Sequence, residues 1–101
     1  MTMAAIRLVQ AALIIPADPS SLRRVLNRFG LNDRQEDGQR VIDPSIVRLF
    51  QRTKEASGYL APYWIRTREE LLAAAAEIPV AEVSELVSAV QQQPEIGRAH
   101  V

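Results

Sequence analysis

The chain has 101 residues, 12 basic and 12 acidic side chains, and 48% hydrophobic residues. This length holds one small domain, or one domain with the start of another, and the composition is that of a globular protein. The absence of cysteine and the single histidine exclude disulfides, thiolate nucleophiles and the usual zinc ligand sets. No Gly-rich phosphate loop or GxSxG motif is present, so we expect no enzyme activity, cofactor or metal site.

The zero net charge conceals an asymmetry along the chain. Residues 1–68 carry eleven basic and six acidic side chains, whereas residues 69–101 carry one arginine and six glutamates. The basic residues are nearly all arginine, whose planar fork suits phosphates and guanine edges. An ordinary solvated surface explains the same charges, so charge alone does not establish a nucleic-acid partner.

The first predicted element is a helix over Ala4–Ile15, which Pro16 ends. Its apolar residues recur at helical spacing: Ile6, Val9 and Leu13. A short strand around Ile14 is the alternative. The segment is too short to span a bilayer and lacks the features of a signal peptide, so we expect a cytoplasmic protein with no membrane partner.

The clearest predicted helix covers residues 19–29. Asp18 is a favoured N-cap, Pro19 suits the first helical position, and Gly30 supplies the stop. One face carries apolar residues at helical spacing: Leu22, Val25, Leu26 and Phe29. The opposite face is polar and cationic: Ser20, Arg23, Arg24, Asn27 and Arg28.

A polar loop follows, in which residues 32–40 contain no apolar side chain. Asp37-Gly38 is a strong tight-turn signal, so we predict a small hairpin whose second strand includes Val41 and Ile42.

The third predicted helix begins with a second cap-and-proline pair, Asp43-Pro44, and ends at Gly58. Its predicted inner face consists of Ile46, Leu49, Phe50 and Thr53. The following stretch, residues 59–65, concentrates three of the five aromatic residues around a proline and predicts a buried connector. The three aromatics favour core packing, and an effector pocket is the alternative: Tyr59, Tyr63 and Trp64.

Two further helices are predicted after the connector. Thr67 and Glu70 form a capping box for a helix that runs to about Glu77, and Pro79 breaks it. The last helix begins at about Val80. Its valines fit coiled-coil a and d positions, with Leu86 on the flank, although an ordinary amphipathic helix is equally consistent. These valines are Val80, Val83, Val87 and Val90.

The last six residues, 96–101, resemble translated sequencing adapter. The common short-read library adapter, read in one frame, encodes Ile-Gly-Arg-Ala-His-Val followed by a stop. We therefore expect residues 95–101 to be an adapter-derived tail that packs against nothing, and the helical extension at 67–94 to be truncated. The single histidine, His100, falls in this tail.

The order of the predicted elements is that of a winged helix-turn-helix, within a mainly α fold that carries a small hairpin wing and two further helices. Over about residues 6–60 the sequence resembles the DNA-binding head of MerR-type transcription regulators. The resemblance rests on Ser21-Leu22-Arg23-Arg24-Val25, Phe29-Gly30-Leu31, Gly38-Gln39-Arg40-Val41-Ile42, Asp43-Pro44-Ser45-Ile46-Val47-Arg48-Leu49 and Gly58. The tyrosines of the family's recognition helix and wing are absent, with Arg24, Val25 and Ile42 in their places.

The resemblance implies that Arg23 and Arg24 read or flank bases and that Arg40 holds a phosphate beside the wing. Asn27 and Arg28 are predicted from the helix face alone, and the weaker candidates for backbone contacts are Arg48, Arg52 and Lys54. The predicted DNA-binding residues are Ser21, Arg23, Arg24, Asn27, Arg28, Arg40 and Arg48.

The leading prediction is the DNA-binding part of a truncated bacterial or phage regulator. Residues 1–66 would form the winged domain, with a recognition helix at about 19–29 and a wing at about 32–42. Its partner would be double-stranded DNA, and the full-length protein would dimerise through the C-terminal helix. The alternatives are a small helical interaction or adaptor module, which would use residues 80–90 and 59–65, and the regulatory N-terminal domain of a larger protein.

Overall fold

The computed structural model describes residues 5–32 and 34–92. Across these ranges the chain forms β1 (Ile6–Arg7), α1 (Leu8–Ile14), α2 (Pro19–Arg28), β2 (Gln35–Glu36), β3 (Gln39–Ile42), α3 (Pro44–Ser57), α4 (Arg68–Ala76) and α5 (Val80–Gln92). The predicted class, mainly helical with a small hairpin, is confirmed. The predicted adapter-derived tail lies outside the described residues.

The strands form an antiparallel sheet in the order β1-β3-β2. The β2–β3 hairpin turns at Asp37 and Gly38, whose φ angles of 54° and 77° are both left-handed. Two positive φ angles give the type I′ turn whose twist matches that of paired strands, and an Asp-Gly pair adopts it readily. The predicted hairpin is therefore confirmed, and β1 joins its other edge through the pairing of Ile6 with Ile42.

The first predicted helix, Ala4–Ile15, is only partly right. Residue 4 lies outside the described residues, and the chain is extended at Ile6–Arg7 before α1 begins. At these two residues, main-chain pairing with β3 determines the conformation, although the apolar residues have helical spacing. Because the helix starts later, a different face is buried: Leu8, Ala11, Ala12 and Ile15. Val9 and Leu13, two of the apolar residues whose spacing predicted the helix, are 49% and 61% exposed.

Local signals define α2 at both ends. The Asp18 carboxylate accepts hydrogen bonds from the main-chain N–H groups of Ser20 (2.9 Å) and Ser21 (3.2 Å), which caps the helix. At the other end Gly30 has φ +70°, and the Leu31 N–H donates back to the Leu26 carbonyl at 2.8 Å. This is a Schellman-type ending. The predicted apolar face is confirmed, since Leu22, Leu26 and Phe29 are buried and Val25 packs against the core.

Helix α3 packs against both α4 and α5. Helix α3 ends where Gly58 adopts φ +82°, as predicted. Its inner face is Pro44, Ile46, Val47 and Phe50, so Leu49 and Thr53 lie at the edge of the predicted face and are only partly buried. The predicted capping box of α4 is confirmed, with Thr67 and Glu70 each accepting from the other's main chain.

Helix α5 faces the core with residues that only partly match the predicted coiled-coil seam. Val83, Leu86 and Val90 are buried, whereas Val80 is 71% exposed. Leu86, which the coiled-coil pattern placed on the flank, is therefore one of the residues of α5 that face the core. Residues of α4 and α5 belong to the same hydrophobic cluster as those of α1, α2 and α3, so the described ranges share one core. None of the helices in these ranges combines the length and apolarity that a bilayer crossing requires.

Candidate nucleic-acid interface

The outer surface of α2 is its polar face. With Leu22 and Leu26 anchored in the core, the opposite side of the helix turns to solvent. It carries two rows at i, i+4 spacing, one of Arg23 and Asn27, the other of Ser20, Arg24 and Arg28. All five side chains are exposed, whereas Ser21 is half-buried beside the cap.

The row of Arg23 and Asn27 faces the hairpin. Arg23 lines a cleft of about 510 Å³ together with Gln39 and Arg40 of β3 and with residues 7–10. Asn27 lines a second cleft of about 440 Å³, which also contains Gln35 and Arg40. Because Arg40 borders both clefts, α2 and the hairpin present one continuous surface rather than two separate ones.

Arg40 also fastens the hairpin to the end of α2. Its guanidinium Nη1 donates to the main-chain carbonyl of Asn32, in the segment that leaves α2. A guanidinium has five N–H groups, so this bond leaves donors for a further acceptor. The Asn32 side-chain oxygen, in the same cleft, is buried without a hydrogen-bond partner among the described residues.

Arg34, at the base of the hairpin, is neutralised locally. Its guanidinium pairs with Glu36 at 3.3 Å and with the carboxylate of Asp43. The bond to Asp43 is the main cause that raises the pKa of Arg34 above its ordinary value. Asp43 occupies the N-cap position of α3, as predicted, but its side chain makes no capping bond because it binds Arg34 instead.

Arg48 lies in a different cluster from the other predicted DNA contacts. Its Nε donates to Glu82 of α5 at 2.8 Å, and another guanidinium nitrogen donates to Gln51 at 2.7 Å. Arg52 approaches the same Glu82 oxygen at 4.0 Å. The structure thus brings Arg48 and Arg52 to the α3–α5 contact rather than to the clefts between α2 and the hairpin.

Arg28 faces the connector rather than the hairpin. Its guanidinium carbon lies 5.0 Å from the centre of the Phe29 ring, a cation–π distance. It also lines a cleft of about 390 Å³ with Tyr59, Tyr63 and Arg66. The second row of α2 therefore leads away from the hairpin and towards residues 59–66.

The predicted core packing of the connector aromatics is wrong. Tyr59, Tyr63 and Trp64 are 65%, 80% and 64% exposed, and the connector is anchored instead by its smaller residues. These buried anchors are Ala61, Pro62 and Ile65. They take up the inward-facing positions of this short irregular segment, which leaves the large rings outside. No sequence periodicity marks that choice, because the segment is neither helix nor strand.

Comparisons of the chain with protein families, characterised proteins and solved structures find no match. The resemblance to MerR-type heads therefore stays a prediction. Within residues 5–32 and 34–92, no cluster of histidine, cysteine and carboxylate side chains could hold a metal ion.

Proposed function

We propose that this protein binds double-stranded DNA in a sequence-specific manner and acts as a transcription regulator. Helix α2 would enter the major groove, and the β2–β3 hairpin would contact the adjacent backbone as a wing. The observation that carries the proposal is the continuous surface on which α2 and the hairpin meet at Arg40.

The residue types on this surface suit base reading. The major groove, about 12 Å wide, admits an α-helix. Arginine can make two hydrogen bonds to guanine, and asparagine can make two to adenine. Arg23 and Asn27 lie one turn apart on the exposed face of α2, so both can address neighbouring bases from one helix. The MerR resemblance implies the same helix for this role.

The charges on this surface support the proposal as well. Among the described residues, Arg23 and Arg24 form no ion pair, so their guanidinium groups stay available for phosphates or bases. Arg34 and Arg48, by contrast, are paired with carboxylates of the protein itself. Arg40 keeps donors beyond its bond to Asn32 and borders α2, which suits a phosphate beside the wing.

The predicted homodimer depends on α5, and the adaptor alternative depends on α5 together with residues 59–65, whose large rings are exposed. Val83, Leu86 and Val90 are already buried in the protein's own core, so that face has no spare surface for a partner. A dimer through the C-terminal helix would need other contacts, and it remains a prediction. We expect the chain itself to sediment as a monomer in analytical ultracentrifugation; a tight dimer would mean that the contact lies elsewhere.

Fluorescence anisotropy on random and genomic duplexes tests the proposal. Each phosphate that an arginine neutralises lowers the logarithm of the affinity by about 0.9 per tenfold rise in salt. We expect weak binding that falls steeply between low and physiological salt and that distinguishes some genomic duplexes from random ones. Absent or salt-insensitive binding by the folded protein would contradict the proposal.

A further inference from the structure

The connector between α3 and α4 carries an exposed aromatic surface that the proposed duplex site does not use. We define the connector platform as the rings of Tyr59, Tyr63 and Trp64 with the neighbouring guanidinium groups of Arg28 and Arg66. Three exposed large rings within six residues are unusual in a chain with only five aromatic residues. Tyrosine and tryptophan at such density are typical of binding surfaces.

Two of the three rings of the platform pack against each other. Tyr63 and Trp64 pack edge to face, with ring centroids 5.1 Å apart and planes at 87°. The segment is anchored from below by Ala61 and Ile65, which are 8% and 6% exposed. With Tyr63 itself 80% exposed, much of its ring is free to receive a ligand.

The end of the connector is fixed by a carboxylate. Glu70 accepts hydrogen bonds from the main-chain N–H groups of Arg66 and Thr67, each at 3.0 Å. These bonds, with that from the Thr67 hydroxyl at 3.2 Å, lower the pKa of Glu70, so it stays ionised and bonded. The platform therefore ends on a capped helix, which limits the conformational entropy that binding would cost.

The lining of the cleft selects for a flat, negatively charged ligand. Arg28 and Arg66 contribute two positive charges, and no lining residue is acidic. Tyr59 and Tyr63 supply aromatic surface to the same cleft. Unpaired nucleotides combine both properties, since a base offers a π-face and its phosphate a negative charge. Bases inside a duplex hide their faces, so a single strand fits this surface better than a duplex does.

We propose that the connector platform binds single-stranded nucleic acid. One or two bases stack on Tyr59 and Tyr63, and the flanking phosphates contact Arg28 and Arg66. The cleft of about 390 Å³ has room for roughly one nucleotide, and the open platform beside it continues along the strand. This activity does not depend on Arg23, Asn27 and Arg40 of the duplex site, which line the clefts on the hairpin side of α2.

Trp64 is the only tryptophan in the chain, and because its ring contacts that of Tyr63, its fluorescence responds to a ligand bound there. The intact chain is titrated with a single-stranded oligothymidylate while the fluorescence of Trp64 is followed. We expect saturable quenching that weakens as salt rises. Tyr63→Ala should lower the affinity at least about fivefold, and Tyr63→Phe should retain it because the ring remains. Leu13→Ala, which truncates another exposed large side chain, on α1, is the control and should leave binding unchanged.

Two further arms separate this proposal from the duplex site and from a free-nucleotide site. Arg23→Ala should weaken duplex binding without affecting the single strand, and Tyr63→Ala should do the reverse. Thymidine monophosphate should compete only at concentrations far above those of the oligonucleotide. Quenching that is absent, or equal in Tyr63→Ala and the wild type, would overturn the proposal, as would saturation by the monophosphate at the oligonucleotide's concentration. Loss of single-strand binding in Arg28→Gln provides a second test should Tyr63→Ala fail to fold.

Discussion

Helices α2 and α3 both carry arginines, and the sequence alone does not distinguish the environments of these side chains. In the structure the two sets of arginines have different partners. On α2, Arg23 and Arg24 extend into solvent and form no ion pair within the described residues. On α3, Arg48 is one-quarter exposed and binds Glu82 of α5 across 2.8 Å. The two helices therefore differ in whether a carboxylate from a distant part of the chain pairs with their arginines, since both helices contain arginine.

Because of this difference, we expect the arginines of the two helices to have different roles. An arginine paired with a carboxylate of its own chain contributes to packing and offers little net charge to a ligand. An arginine without such a partner contributes little to folding and keeps its charge and donors for phosphates or bases. The outer face of α2 therefore offers the unpaired arginines that the proposed duplex binding requires, whereas Arg48 is paired at the α3–α5 contact.

The strongest test of this division compares the two faces of α2. Leu22 is fully buried, so Leu22→Ala should lower the free energy of unfolding by about 2–5 kcal/mol through lost burial and a residual cavity. Arg24→Ala, on the outer face, should change it by less than about 0.5 kcal/mol. Urea denaturation of both variants measures the difference. Comparable losses would show that the outer face also stabilises the fold.

The hairpin that stands beside α2 depends on its turn. Gly38 has φ +77°, a left-handed conformation in which a β-carbon costs about 1–2 kcal/mol. Gly38→Ala should therefore lower the free energy of unfolding by about that amount, although no atom obstructs the added methyl. Gly38→Asn should cost less, because asparagine tolerates this region better. Thermal denaturation followed by circular dichroism compares the two, and equal stability of Gly38→Ala and the wild type would contradict the turn assignment.

The α3–α5 ion pair gives a smaller effect. Arg48 and Glu82 have side-chain exposures of 27% and 33%, so water still screens their attraction. A double-mutant cycle with Arg48→Ala and Glu82→Ala should give a coupling free energy of about 0.5–1 kcal/mol, which decreases at high salt. The same cycle between Arg24 and Glu82 should give none. Coupling of similar size in both cycles would remove the contrast between α2 and α3.

The elements that local signals define are those the sequence predicts well. Asp18 and Gly30 delimit α2, Asp37-Gly38 defines the hairpin turn, and the Thr67–Glu70 capping box starts α4. Each signal acts over a few residues, through one cap or one φ angle, so no knowledge of the tertiary structure is needed.

Contacts between distant parts of the chain are where the sequence prediction fails. The pairing of Ile6 with Ile42 converts the start of a predicted helix into β1. The sequence likewise does not indicate that Arg48 meets Glu82, 34 residues away, although its role as a DNA contact stays a prediction. Whether the rings of the connector are exposed depends on which of its residues pack against the core. Neither periodicity nor composition encodes these choices, because each is settled by packing between separate elements.

Glu70 offers the smallest predicted effect and concerns the part of the chain that follows α3. Hydrogen bonds from the main chain of Arg66 and Thr67 lower the pKa of Glu70 below its ordinary value of 4.5. Its stabilising contribution is therefore fully present above pH 4.5 and is lost as the pH falls through the lower, folded-state pKa. In Glu70→Gln, a side chain that keeps the cap without the charge, this part of the acid dependence should vanish. Urea denaturation at stepped pH values would contradict this if both proteins lost stability in parallel.

The central claim is that α2 and the hairpin, not α3, form the duplex-binding surface. It is tested most directly by measuring duplex affinity for Arg23→Ala and Arg48→Ala side by side, by anisotropy at one low salt concentration on the best genomic duplex. Arg23→Ala should weaken binding by about 1–3 kcal/mol if that residue reads a base. Arg48→Ala should bind DNA like the wild type while unfolding at lower urea. The reverse pattern, with Arg48→Ala defective in binding and Arg23→Ala unaffected, would contradict the claim.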